Sequence, residues 1–79
     1  MFAKKDYNTI FQKLFDVSEE EALLISKEMA ASWGSLTHME LITAIEDTFR
    51  CSLLPEDILG FVSYDAGINI LKSKGIILE

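Results

Sequence analysis

Leu41, Ile42, Ile45 and Phe49 share an arc of about 100° when the segment from Ser35 to Phe49 is wound at the period of an α-helix. A stripe that wide must be buried against other elements, so the chain has to fold around this helix. Glu40, Thr43, Glu46, Asp47 and Arg50 fall on the opposite side and face water. Leu36 and Met39 fall on that outer side too, and apolar residues on a polar face are the informative exceptions in such a pattern. The helix has a clear beginning, because Ser32-Trp33-Gly34 breaks the preceding pattern and Ser35 opens the new one.

The elements around it are shorter. Ile10, Phe11, Leu14 and Phe15 form one apolar stripe behind Asp6 as N-cap, which predicts a first helix over residues 6 to 16. Residues 18 to 31 begin with Ser18 and Glu21 at capping-box spacing and continue through Glu-Glu-Glu-Ala-Leu-Leu-Ile, a run of good helix formers. Read in isolation this segment is a helix, with Leu23, Leu24 and Ile25 pinning it to the core. Leu54-Pro55-Glu56-Asp57 reads as a helix start, since proline suits the first turn and acids suit the positive end of the helix dipole; Gly60 limits the helix to 55 to 59. Ser63 caps a last helix with Asp65 in its first turn and Lys72 and Lys74 in its last, and Gly75 ends it. Tyr64, Ile68 and Leu71 face inward, and Gly67 inside this helix points to close packing or mobility. The fold class is all-α, a small helical bundle.

Length and charge bound the function. The chain has 79 residues, room for one domain, and a domain this small buries only about 60% of its unfolded surface. Thirteen acidic against seven basic side chains give a formal net charge of −6. That balance repels nucleic-acid backbones and anionic lipid and favours partners with basic patches. A single cysteine, Cys51, excludes an internal disulfide, and a packed, inert thiol is expected of it. No stretch reads as a membrane span or a signal peptide, so a cytoplasmic protein is expected. The acidic runs lack the spacing of a calcium loop, no Cys/His pattern suits a metal, and no nucleophile stands with a base, which argues against an enzyme. His38, the one histidine, is expected to be partly buried or solvated, and Trp33 to pack the connection against the bundle.

The segment Gly34-Ser35-Leu36-Thr37-His38-Met39-Glu40-Leu41 resembles the attachment site of acyl carrier proteins. The family pattern is Asp-Ser-Leu, two variable residues, an aliphatic residue, Glu and Leu. Gly34 stands where the family has aspartate; the other elements are present. The likeness extends to Leu-Pro-Glu-Asp at the short helix and the serine cap of the last one, and so covers nearly the whole chain. It implies a non-catalytic role and the acyl-carrier fold, a small four-helix bundle with three longer helices, one short helix and a long connection between the first and second, in which residues 18 to 31 hold only a partial helix. It implies that Ser35, flanked by Gly34 and Leu36, is esterified with 4′-phosphopantetheine taken from coenzyme A, whose thiol carries acyl groups as thioesters in fatty-acid or specialised lipid or polyketide-type biosynthesis. Aminoacyl or peptidyl carriers share these features, and an interaction domain that keeps the fold without the arm is the rival class. The implied partners are a phosphopantetheinyl transferase and acyl-processing enzymes, met by a monomer. Leu36, Met39, Glu40, Glu46 and Asp47, with Glu56 and Asp57 on the next helix, are candidates for docking them. Ile42, Ile45, Ile58, Phe61, Ile68 and Leu71 are candidates for lining an acyl cavity, or for filling the core.

Overall fold

The computed structural model describes residues 2–79. Five helices follow one another: α1 (Lys4–Phe15), α2 (Glu19–Ala22), α3 (Ser35–Phe49), α4 (Pro55–Gly60) and α5 (Tyr64–Ser73). Among the described residues no strand forms, and the architecture is a small all-α bundle. None of these helices is long and apolar enough to cross a membrane. The expected order of three longer helices and a short one holds, with α2 as an additional single turn in the long connection.

α1 starts before Asp6. Its N-cap is Ala3, in extended conformation, and Asp6 lies in the first turn with its N–H on the Ala3 carbonyl at 3.1 Å. The earlier start has a tertiary cause. Phe2 pairs in parallel with Leu78, and the Glu79 N–H donates to the Phe2 carbonyl at 2.9 Å, so the chain is already fixed when it reaches Lys4.

The connection after α1 corrects a second expectation. Ser18 and Glu21 do form a capping box, with the Glu21 N–H donating to Ser18 Oγ at 3.2 Å and the Ser18 N–H to Glu21 Oε1 at 3.0 Å. The helix nevertheless ends at Ala22. Leu23 and Leu24 do not pin the segment: they are 40% and 78% exposed, while Ala22 is buried and Ile25 packs partly against the core. Beyond Ala22 the chain pairs with the turn between α4 and α5. Ser26 bridges Ser63, the Lys27 N–H donates to the Val62 carbonyl at 2.7 Å, and the Tyr64 N–H donates to the Ile25 carbonyl at 3.0 Å. Leu24 lies in the turn that closes α2, where its N–H donates to the Glu21 carbonyl at 3.1 Å, and it faces out while Ile25 packs in.

The core is built on rings. Tyr7, Phe11, Phe49 and Phe61 are fully buried with Leu41, Ile42, Ile45 and Leu71. Phe11 sits centrally, with ring centroids 5.0 Å from Tyr7, 5.6 Å from Tyr64 and 6.1 Å from Trp33. The Tyr7 hydroxyl donates to the Tyr64 carbonyl at 2.7 Å, and burial, then the neighbouring Tyr64, push its pKa far up, so it stays a neutral donor. The Tyr64 hydroxyl bonds Asn8 Oδ1, and Asn8 Nδ2 donates in turn to Glu19 at 3.1 Å, which ties α1 to α2 and α5. Gly67 is a point of close packing: a Cβ there would overlap the Tyr7 hydroxyl and the Phe61 ring.

Candidate functional site

Ser35 is exposed and is the first residue of α3. Gly34 is the N-cap, with φ −96° and ψ −170°. This is extended backbone open to any residue, and a Cβ on Gly34 would find nothing within 4 Å. The fold therefore does not require glycine at this position. No side chain caps the helix and no acid lies in its first turn. The first intrahelical bond runs from the His38 N–H to the Gly34 carbonyl at 2.8 Å, so the N–H groups of Ser35, Leu36 and Thr37 point out of the helix end. Those donors and the positive end of the dipole suit an anion carried on the neighbouring hydroxyl.

Two aromatic side chains hold this helix mouth in place. Trp33, two residues before Ser35, is buried against Phe11 and Phe15. Its indole Nε1–H donates to His38 Nδ1 at 2.9 Å, and His38 Nε2 lies 2.7 Å from the Ile58 carbonyl of α4. An indole N–H can only donate, so Nδ1 accepts, the proton sits on Nε2, and the ring donates to Ile58. The imidazole, 7% exposed, thus links the connection, α3 and α4. A partly buried or solvated ring was expected of His38; it is buried, and its two partners were not foreseen.

The proposed docking residues divide into two groups. Leu36 is 77% exposed and Met39 50%, and both line an open groove of about 470 Å³ with Glu40, Thr43, Ala44 and Asp47. Glu56 is also exposed. Glu46 and Asp57 have internal work. Glu46 Oε2 accepts from the Leu53 N–H at 2.9 Å and steadies the turn after α3. Asp57 Oδ2 accepts from the Leu54 N–H at 2.9 Å, capping α4, and pairs with Lys74 at 2.6 Å, the one ion pair among the described residues. The Lys74 bond, then the Leu54 N–H, hold the Asp57 carboxyl below the usual aspartate range. Thr43 and Ala44 were absent from the sequence candidates, although they stand seven and eight residues after Leu36, on the same helical face.

Of the six candidates for an acyl cavity, Ile42, Ile45, Phe61 and Leu71 are fully buried members of the core. Ile58 and Ile68 are half-buried against it, and Ile68 also lines a surface pocket of about 210 Å³ with Lys4, Lys72 and Ile76. Cys51 is half-buried, and desolvation, then the nearby Glu46, push its thiol pKa up, away from the reactive thiolate. Among the described residues no three His, Cys, Asp or Glu side chains come together as a metal site would require.

No family model, no curated protein and no solved structure matches the chain.

Proposed function

We propose that the chain is an acyl carrier protein, with Ser35 bearing 4′-phosphopantetheine. The observation that carries this reading is the setting of Ser35: an exposed hydroxyl on the first residue of a rigid helix, preceded by an open, extended Gly34. When bound, the group supplies a terminal thiol that holds an acyl chain as a thioester. Ser35 Oγ forms the phosphodiester, adenosine 3′,5′-bisphosphate leaves coenzyme A, and the hydroxyl proton passes to the transferase. The chain itself needs no catalytic base, because the transferase brings one. It contributes outward N–H groups that stabilise the phosphate and a helix start held still by Trp33 and His38. Leu36 and Met39 offer an apolar contact beside the attachment point, with Glu40 and Asp47 exposed next to them. Such charges act mainly on encounter rate and orientation.

Gly34 favours a second reading, an interaction domain without the arm, because no carboxylate stands next to the hydroxyl. A charge buried in the transferase complex contributes about 1–3 kcal/mol, so its loss slows modification without harming the fold. Intact mass spectrometry after incubation with coenzyme A, magnesium and a broad-specificity transferase separates the readings. The carrier is expected to gain the mass of the arm, and Ser35→Ala to gain nothing. Gain by Gly34→Asp alone would mark a carrier matched to a dedicated transferase. Failure of both to gain it would leave the interaction domain.

A further inference from the structure

We infer that the partner-docking surface of this protein runs from α3 onto α1, and that it receives an amphipathic helix with a basic flank. The inference takes the carrier reading as its starting point and assigns the surface through which that carrier is met.

Three observations lead there. First, two of the acids on the α4 side of α3 are held in place by bonds within the protein. Glu46 is engaged by the Leu53 N–H, and Asp57 by the Leu54 N–H and Lys74, so of the acids on that side only Glu56 faces solvent without a bond to the protein. Second, the apolar surface continues in the other direction. Ala44, at the edge of the groove beside Leu36 and Met39, also lines a second hollow of about 270 Å³ with Ile10, Lys13 and Leu14 of α1. The small Ala44 side chain leaves a saddle between the two, and the half-buried Ile10 and Leu14 form an almost wholly apolar wall beyond it. Third, the rims carry opposite charges. Glu40 and Asp47 border the α3 side and Lys13 the α1 side, and none of the three is in an ion pair among the described residues.

An apolar trough with carboxylates along one rim and an ammonium on the other selects its occupant. A helix laying an apolar ridge across Leu36, Met39 and Ala44 finds matching charge when Lys or Arg face Glu40 and Asp47 and an acid faces Lys13. The reversed orientation sets like charges against each other at both rims, so the trough fixes the direction of docking.

The test uses the full chain and a broad-specificity phosphopantetheinyl transferase as probe. One arm measures the initial rate of arm transfer to the parent and to Ala44→Arg, Asp47→Lys and Glu56→Lys, with circular dichroism to check folding. The other titrates isotope-labelled Ser35→Ala protein with the transferase and records which amide resonances move. Ala44→Arg and Asp47→Lys are expected to slow transfer about tenfold or more and Glu56→Lys less than about twofold, with the moving resonances including Ile10, Leu14 and Ala44. Arm transfer with movements confined to α4, or a rate loss for Glu56→Lys alone, overturns the inference and keeps the carrier. Movements along the trough without arm transfer to either the parent or Gly34→Asp keep the surface and overturn the carrier reading. No movement, and no transfer to either the parent or Gly34→Asp, removes both.

Discussion

Replacing His38 with leucine isolates the clamp at the helix mouth. Leucine fills much of the same space, so the lost quantity is hydrogen bonding. The Trp33 Nε1–H and the Ile58 carbonyl lose their partners at 2.9 and 2.7 Å. A donor or acceptor stranded in a buried site costs about 1–3 kcal/mol. Trp33 is 3% exposed, so its N–H carries the greater part; the Ile58 carbonyl, at the edge of the short α4, is only partly buried and can recover water. The sum is about 2–4 kcal/mol, against a total stability of about 4–12 kcal/mol for a chain of this size. The measurement is urea unfolding followed by circular dichroism and by the fluorescence of Trp33, the single tryptophan. Trp33→Phe removes the donor from the other end and leaves the imidazole in place, so the double variant His38→Leu/Trp33→Phe is expected to cost less than the two singles added together. A His38→Leu protein within about 0.5 kcal/mol of the parent, with an unchanged denaturant slope, would refute the reasoning, because neither stranded group would then have been buried.

Three further outcomes follow from the packing and the caps. Gly67→Ala is expected to destabilise by about 1–3 kcal/mol in thermal unfolding, since the methyl overlaps the Tyr7 hydroxyl and the Phe61 ring and outweighs the gain in helix propensity. Gly34→Asp is expected to stabilise by a few tenths of a kcal/mol to about 1 kcal/mol, because the extended N-cap has room for the side chain and α3 has no acid at its positive end; a lower melting temperature would contradict the open geometry. Asp57 has a folded pKa below its ordinary value of 3.8, so its contribution is complete above that value and fades as the pH falls through the lowered one. The gap in stability between the parent and Asp57→Asn should therefore be widest near neutrality and narrow below about pH 4. A gap that stays constant down to pH 2 would show that the ion pair with Lys74 and the Leu54 N–H bond do not act through the carboxylate charge.

How much of this was legible in the sequence depended on the range of the interactions. The start and end of α3 follow from spacing and local breakers, and the structure has them at Ser35 and Phe49. The serine caps of α2 and α5 were equally local, each bonding an N–H three residues on. Leu23 and Leu24 were misplaced because α2 ends at Ala22 and the chain turns there, before Ser26 pairs with Ser63 thirty-seven positions away, and no local pattern reveals that pairing. The early start of α1 has the same kind of cause in the contact between Phe2 and Leu78. Asp57 is a different case. An acid three residues after a helix N-cap reaches back to the N-cap N–H, so its capping role at Leu54 could have been read from Leu-Pro-Glu-Asp before any surface role was given to it. For Glu46 and His38 the partners lie seven and twenty residues further on, at Leu53 and Ile58, and only the folded chain brings them together.

The anchored indole of Trp33 has a geometric consequence for the residue two places after it. A surface hydroxyl on a slack loop would be met in many orientations, most of them useless to a visiting macromolecule. Here the backbone is moored on one side by a ring sunk among Phe11 and Phe15 and on the other by the first turn of a fifteen-residue helix. Ser35 accordingly has a fixed bearing relative to the trough, and on the carrier reading a partner that grips Leu36 and Ala44 would be aimed at its oxygen without a search.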